Sequence, residues 1–570
     1  MKKKRLSLLL SCVFVLAVMA ACHTDIAEDQ IEETDDDDGI ETVGDHEAAN
    51  DYIWDSSSVT QIALKGSSIT VTGSGATVSG SKVTITAAGN YSLSGSLTNG
   101  QVIVNTADKA VVRLILNGVN ITCSSSAPIY ITDSEKTIIN LADNTENVLT
   151  DGTSYVTVDG EPNAAIFSKS DLTIFGSGKL TVVGNYMDGI TSKDGLIIKS
   201  GTISVTSKDD GIRGKDYLII KDGNITVKSG GDGLKSDNEV STIKGYVSIA
   251  KGVFNIISGG DAISAYTEIN IADGTYNLTS GGGSSKSKPV TSAKGIKALV
   301  GLTIDTGTFT ISSADDALHS NGKIIINGGT INLSSSDDGI HANAAITINS
   351  GTIIISKSFE GIESHLITVN NGNVSVTSSD DGFNATAGLV NGGTEQDDKS
   401  FLYINGGYIM ITASGGDPLD SNGSIVMTAG TVVVHGPASS PEVAIDYNGT
   451  FNLSGGFMVA SGTNSNMTQA PGASSSQKSL LVMFRSSLTA ETIFHIMDSS
   501  GIEVVTFKPV RKYQSMVFSS PLLVQGATFK IYTGGSSTGT FTDGLGKGGA
   551  YTPGTLYASF TVSSAVTRVN

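Results

Sequence analysis

One phrase of this chain recurs at a nearly fixed step, and that step constrains the fold more than any other feature. A glycine, a small polar residue and an alternating apolar–polar run begin at Gly201, Gly223, Gly252, Gly274, Gly307, Gly329, Gly351 and Gly372, with looser copies at Gly178, Gly407, Gly430 and Gly456. From Gly178 the steps are 23, 22, 29, 22, 33, 22, 22, 21, 35, 23 and 26 residues, so the base period is 22 and the longer steps are 22 plus a loop. Each unit holds three short alternating runs, as in 211–213, 217–220 and 224–227. Three strands of about four residues, rising about 3.3 Å per residue, close one turn of a parallel coil, and successive turns stack about 4.8 Å apart. The repeat therefore predicts an all-β chain built as a right-handed parallel β-helix of about 12 coils, about 60 Å long. The leucine-rich repeat frame is absent, and the calcium-binding nonapeptide pattern is met once, at Gly231-Asp232-Gly233-Leu234. Sixty-eight glycines against 10 prolines fit many short strands with tight corners.

Where the period fails, other regions are expected. Residues 51–160 are strand-rich but irregular and should cap the solenoid and form its first coils, because an open coil end exposes unpaired strand edges. The regular β-helix spans 161–460, a Ser/Gly-rich linker 461–477, and a small antiparallel β domain 478–570. Extra residues in three coils, near 238–246, 281–292 and 388–400, mark loops that could border a binding surface.

The amino end reads as an export signal. Residues 1–21 join a basic start (Lys2-Lys3-Lys4-Arg5) to an apolar run too short to span a bilayer comfortably. The run ends Ala20-Ala21-Cys22, a junction resembling a bacterial lipoprotein signal, with Cys22 as the lipidated residue. Residues 22–50, centred on Asp35-Asp36-Asp37-Asp38, are too acidic and too poor in apolar groups to bury a core and should form a disordered tether. The chain is thus expected to be exported and lipid-anchored at a bacterial cell envelope or surface, touching membrane through its anchor alone. With Cys12 lost and Cys22 used, Cys123 has no partner for a disulfide. The formal charge of −19, from 36 basic and 55 acidic residues, argues against nucleic acid and for cations.

The chemistry concentrates just before the first strand of each coil. One slot there holds Asp188, Asp210, Asp232, Asp261, Lys294, Asp316, Asp338, Glu360, Asp381 and Asp417, and four coils double it with Asp209, Asp315, Asp337 and Asp380. In register, these carboxylates would stand about 4.8 Å apart, where like charges must protonate or find a cation. Oxygen-rich sites of this kind suit Ca²⁺. The expected metal ligands are Asp188, Asp209, Asp210, Asp232, Asp315, Asp316, Asp337, Asp338, Asp380 and Asp381; the plainer alternative is a row of turn aspartates accepting backbone N–H groups. Zinc is disfavoured, since thiols are absent and histidines scattered. Lys294 interrupts the column and is expected to neutralise Asp261 and Asp316. Three positions on lies a second column, Arg213, Lys235, Lys297, His319, His341, Glu363 and Asn384, expected to face outward, with Arg213, Lys235, Lys297, His319 and His341 binding an anionic ligand beside the metal.

Three phrases resemble a family of secreted bacterial calcium-containing β-helix proteins that bind cellulose and pectic acid and are similar to family-nine pectate lyases. They are Ala88-Gly89-Asn90-Tyr91-Ser92-Leu93-Ser94-Gly95-Ser96-Leu97, Leu114-Ile115-Leu116-Asn117-Gly118-Val119-Asn120-Ile121-Thr122, and the recurring Asp-Asp-Gly-Ile. The resemblance covers nearly all of residues 60–560 and implies calcium and polysaccharide binding without cleavage. Lys294 and Glu360 depart from its aspartate pattern. Calcium-dependent binding of acidic or cellulosic polysaccharide is thus the leading expectation. Pectate-lyase-like β-elimination, with Arg213, Lys235 or Lys297 as base, is second, and an adhesin with purely structural calcium third.

Overall fold

The computed structural model describes residues 46–388 and 396–570. The expected signal peptide, Cys22 and nearly all of the acidic tether lie outside the described residues. The chain divides into one unit ending at Ile53 and another running from Trp54 to Asn570. In the first, the described residues form a turn in which the Ala48 N–H donates to Asp51 Oδ2 at 2.9 Å.

The regular structure of the second unit is almost entirely strand, and its 3-10 turn Ser56–Ser58 holds three residues. Forty-seven strands join in one mostly parallel sheet. Through the regular region each strand pairs in parallel with the strand three further along the chain. Thus Ile212–Gly214 pairs with Leu234–Ser236, Tyr217–Ile220 with Tyr246–Ile249, and Asn224–Ser229 with Val253–Ser258. The offset is 22 residues where no loop intervenes, as at Ile212↔Leu234, and 29 where residues 238–246 are inserted, as at Leu234↔Ile263.

Strand alternation decides which side chains enter the core. In Asn224–Ser229 the residues alternate exposed and buried, so Ile225, Val227 and Ser229 point in while Thr226 and Lys228 point out. Coil stacking turns such positions into columns. Phe254, Tyr276 and Phe309 stack with ring centroids 4.7 and 4.4 Å apart, close to the strand separation. The glycine opening the third strand has a conformational reason: Gly223 sits at φ +146°, where a side chain is strained. The glycine after the acidic slot has a steric one: a Cβ at Gly211 would lie 2.4 Å from Val227 Cγ1 and 2.5 Å from the Gly233 carbonyl oxygen.

Parallel stacking begins earlier than the 22-residue period. Lys82–Ile85 pairs with Gln101–Asn105, that strand with Ile129–Asp133, and that with Ala164–Ser168. Two antiparallel strands precede this run, Ser68–Thr72 on Val59–Gly66 and Ala76–Ser79 on Lys82–Ile85. At the other end the Ser/Gly-rich stretch is packed rather than free-running. Ala470 joins the main core, and the Ser475 hydroxyl accepts the Leu453 N–H at 3.0 Å. Residues 478–570 are antiparallel only in part. Phe494–Asp498, Glu503–Phe507 and Thr528–Thr533 belong to a six-stranded antiparallel sheet. Tyr513–Ser519 pairs antiparallel with Phe457–Gly462 of the last strand stack and with Ser479–Leu488, whose other neighbour, Val566–Val569, runs parallel to it. A second core shares coil residues Val433 and Val459 with Phe484, Phe494, Phe507 and Phe518, so this region covers the edge of the final coil.

Candidate functional site

The acidic slot forms a ladder. One oxygen of each slot aspartate accepts the N–H of the slot residue one coil on. Asp188 Oδ1 receives Asp210 N at 3.3 Å, Asp210 Oδ1 receives Asp232 N at 2.9 Å, and Asp232 Oδ1 receives Asp261 N at 2.8 Å. Asp261 Oδ1 then receives Lys294 N at 2.7 Å, and Asp316 Oδ1 receives Asp338 N at 3.2 Å. The plainer alternative weighed from sequence thus describes Oδ1: it satisfies backbone donors at a coil corner.

The other oxygen meets a basic side chain. Strand register places Arg213, Lys235, Ser264, Lys297, His319 and His341 in one column beside the ladder. Lys235 Nζ lies 3.0 Å from both Asp210 Oδ2 and Asp232 Oδ2. Arg213 reaches Asp188 Oδ2 at 3.9 Å and Asp237 at 2.7 Å, and Lys297 lies 3.5 Å from Asp261 Oδ2. His319 Nδ1 is 2.8 Å from Asp316 Oδ2, and His341 Nδ1 is 3.0 Å from Asp338 Oδ2. Each of these side chains, expected from sequence to bind an anionic ligand, is thus also partnered within the chain by a ladder carboxylate. Lys294 also differs from expectation. Its ammonium sits 2.9 Å from Asp315 and 2.7 Å from Asp316, while Asp261 takes its backbone N–H instead. Lys288, from the loop inserted at 281–292, adds a charge 3.3 Å from Asp315 and pairs with Asp337.

The groups titrate accordingly. Burial raises the Asp188 carboxyl to about 7, with Asp210 adding to the effect. Burial also works to raise Asp316, but His319 and Lys294 overcome it and hold that carboxyl well below its usual range. Burial would lower His341, yet the Asp338 carboxylate lifts it to about 9, so the imidazole is charged at neutral pH.

Past His341 the second column changes sign. The register continues through Glu363, Asn384, Asp420 and Asp446. Backbone capping persists: Asp338 Oδ1 receives Glu360 N at 3.3 Å, Asp381 Oδ1 receives Asp417 N at 2.6 Å, and Asp417 Oδ1 receives Val443 N at 2.5 Å. Among the described residues, no lysine, arginine or histidine forms an ion pair with Glu360, Glu363, Asp381, Asp417 or Asp420. Burial and the neighbouring Glu363 raise Glu360 to about 11; burial, with other acids nearby, raises Asp381 to about 7 and Asp417 to about 8.

Four groups bring possible ligand atoms within 4.8 Å of one another: Asp188/Asp209/Asp210, Asp315/Asp316/Asp337, Asp316/Asp338/His341 and Asp338/Glu360/Glu363. The expected ligands Asp232, Asp380 and Asp381 belong to none of these. Asp420 and Asp446 escaped sequence reasoning, although Asp417-Pro418-Leu419-Asp420 and Glu442-Val443-Ala444-Ile445-Asp446 repeat the slot-plus-three spacing.

Between the inserted loops a cleft of about 480 Å³ opens onto the ladder, lined by Asp209, Asp232, Lys235, Asp261, Tyr266 and Lys297 among others. The flanking loops expose Val240, Ile243 and Val290. Donors, acceptors and an aromatic ring thus converge on one open groove, the mixture that sugar hydroxyls and ring faces require.

The profile of a family described as carbohydrate-binding domain-containing protein matches residues 79–339 and 337–482. A protein of that description from Acetivibrio thermocellus is 47% identical over 64 residues, which are 11% of this chain and 22% of the relative. The chain thus matches about a fifth of that relative's length. The solved polysaccharide lyase-like protein from C. thermocellum, a gadolinium derivative, is 32% identical, covering 47% of this chain and 96% of that one, with a TM-score of 0.38.

Proposed function

The chain belongs to the carbohydrate-binding domain-containing protein family, and from that premise we propose that it grips polysaccharide, without cutting it, along the cleft beside the acidic ladder. The observation that carries this reading is the open groove where Lys235, Lys297, Tyr266 and the ladder carboxylates converge. Its carboxylates outnumber its lysines, so an acidic polysaccharide needs a bridging cation there. Asp188, Asp209 and Asp210 fit Ca²⁺, a hard ion that takes oxygen ligands, and would hold it at the rim. Bound there, the ion would supply positive charge for a uronate carboxylate. Pectic or cellulosic chains, a right-handed parallel β-helix as scaffold, and display through a lipid at Cys22 complete the proposal.

Elimination chemistry is disfavoured by the same geometry. A general base must shed its proton near working pH. Lys235 is held charged: burial would lower its pKa, but Asp232 and Asp210 push it well above the usual amine range.

The test is affinity electrophoresis of the full chain through gels of polygalacturonate, a soluble cellulose derivative or no sugar, with calcium or with EDTA. Retardation by sugar, lost in Lys235→Ala or Tyr266→Ala, is expected. Mobility unchanged by every polysaccharide would sink the binding reading. Ultraviolet-absorbing unsaturated product from polygalacturonate would overturn the non-catalytic one.

A further inference from the structure

A second pocket lies away from the cleft, where the last strand stack meets the C-terminal region. Register sets it up. Gly462 faces Ser515 and Leu488 faces Tyr513, so the chain just past Phe457–Gly462, the end of Ser479–Leu488 and the start of Tyr513–Ser519 come together. The cavity holds about 150 Å³ and is lined by Ser439, Ser440, Asn464, Ser487, Lys512 and Gln514 among others, with no acidic residue in its wall. We propose that this pocket binds one anionic sugar unit of an acidic glycan without any metal, the sugar carboxylate meeting Lys512 and the sugar hydroxyls meeting the surrounding hydroxyl and amide groups.

Charge and geometry both favour such a ligand. The whole chain carries −19, yet residues 478–570 hold eight basic and four acidic residues. A local positive field in a negative molecule draws an anionic chain to this end. Among the described residues Lys512 forms no ion pair, whereas the cleft lysines Lys235 and Lys297 are held by ladder carboxylates. A bare anion needs only the ammonium; a sugar needs oriented polar groups as well, and they are present. Gln514 Nε2 donates to the Phe484 carbonyl at 3.1 Å, and its Oε1 accepts from Ser487 Oγ at 3.1 Å. Asn464 Nδ2 donates to the same carbonyl at 3.4 Å, which leaves Asn464 Oδ1 to accept from a sugar hydroxyl. Ser439 and Ser440 are exposed and add two hydroxyls. The cavity is well below the roughly 300–1,000 Å³ that drug-sized ligands occupy, so it suits one ring rather than a length of chain.

Ser487, Lys512 and Gln514 lie past residue 482, beyond the stretch that the family profile matches, so the pocket does not follow from family membership. That a sugar carries the charge rests on the polysaccharide-binding reading. The pocket itself does not, since it shares no residue with the cleft. The two sites also differ in chemistry: the cleft needs a bridging cation for an acidic glycan, and the pocket brings its own.

A one-unit contact retards a chain little in a gel, so the test uses a short soluble ligand: saturation-transfer NMR of digalacturonate on the full chain in EDTA. Wild type should bind it, and should bind its neutral dimethyl ester much more weakly. Lys512→Gln should weaken binding about tenfold, the loss of one hydrogen bond to a charged group, while Lys512→Arg keeps most of it. Lys530→Gln, exposed on strand Thr528–Thr533 and outside the pocket, makes the same change in net charge and should leave binding intact. Tyr266→Ala, in the cleft, should also leave it intact. Absence of binding in EDTA, equal losses in Lys512→Gln and Lys530→Gln, or full displacement by acetate at the sugar's own concentration would overturn the proposal. Binding lost in Tyr266→Ala but kept in Lys512→Gln would overturn this site and support the cleft. Digalacturonate bound through Lys512, with gel mobility indifferent to every polysaccharide, would support the pocket and sink the cleft reading alone.

Discussion

From Asp188 to Asp338 the ladder carboxylates are answered by basic side chains of the protein itself; from Glu360 to Asp420, among the described residues, they are not. The backbone is the same in both stretches: parallel strands in register, with slot carboxylates capping N–H groups of the following coil. What differs is one column of side chains. One scaffold can therefore carry a self-neutralised acidic ladder and an uncompensated one side by side, and the contrast gives each half a distinct response to mutation, chelation and pH.

The largest effect should come from breaking the self-neutralised half. Lys294→Met leaves Asp315 and Asp316 buried without their ammonium. Removing one partner of a buried ion pair is worth about 3–5 kcal/mol of destabilisation. Each strand here pairs with the strands three before and three after it, and in such stacked repeats stability is a sum over neighbours, so the loss should be local. Hydrogen exchange should accelerate in strands Ile296–Ala298 and Leu318–Ser320 and much less beyond Asp417. A loss under about 1 kcal/mol would mean that Lys288 or water takes over the role.

Chelation should produce the converse pattern. An ion held only by the folded state stabilises by about 2.7 kcal/mol at a hundredfold excess over Kd. EDTA should therefore lower protection in strands Ile362–Val369, Phe383–Ala385 and Leu419–Ser421, while Leu234–Ser236 through Leu318–Ser320, away from the rim site at Asp188, Asp209 and Asp210, keep theirs. Equal loss in both halves would erase the comparison.

The pH response in EDTA follows from the raised carboxyls. Glu360 faces Glu363, Asp338 and the Asn384 amide; Asp381 faces Asp380, Glu442 and Glu363; Asp417 faces Asp381, Asp446 and Glu442. Their folded values, at about 11, 7 and 8, lie above those of free carboxyls. Between about pH 4 and pH 8 the folded chain thus binds more protons than the unfolded one, and its stability falls as pH rises. Chelated protein should melt lower at pH 8 than at pH 5, and calcium should flatten that slope. A melt that rises with pH in EDTA would contradict these directions.

The sequence disclosed the all-β, mostly parallel stacking of strands because a 22-residue period is a property of spacing, and spacing survives substitution. It disclosed the acidic slot for the same reason. The job of each carboxylate was less legible, because Oδ1 and Oδ2 of one residue do different things: Asp210 caps Asp232 N with one and meets Lys235 with the other. The loop cation Lys288 was hidden because it reaches Asp337 from 49 residues away in the chain. The sign change at Glu363 was present in the register all along, but it stands out only once Asp420 and Asp446 join the column through coils lengthened by insertions.

The smallest effect should come from a ladder that is neutral. Asn327, Asn349, Asn370 and Asn405 form a chain of side-chain amides at another corner, with Asn349 donating to Asn327 at 2.8 Å, Asn370 to Asn349 at 2.8 Å and Asn405 to Asn370 at 3.0 Å. It has the same periodicity as the carboxylate ladder but no charge, and its bonds lie at the exposed surface. Asn349→Ala removes two of them. Water can replace both, so the net loss should stay near the lower end of the usual range, about 0.5–1 kcal/mol. Asn349 itself bonds to no titrating group, and the carboxylate at the end of the chain, Asp305, accepts from Asn327, so the loss should be the same with calcium or EDTA and at pH 5 or pH 8. Urea melts of the variant under those four conditions check this. A loss as large as that of Lys294→Met would show that in-register stacking alone, rather than burial of charge, sets the energetics of both ladders.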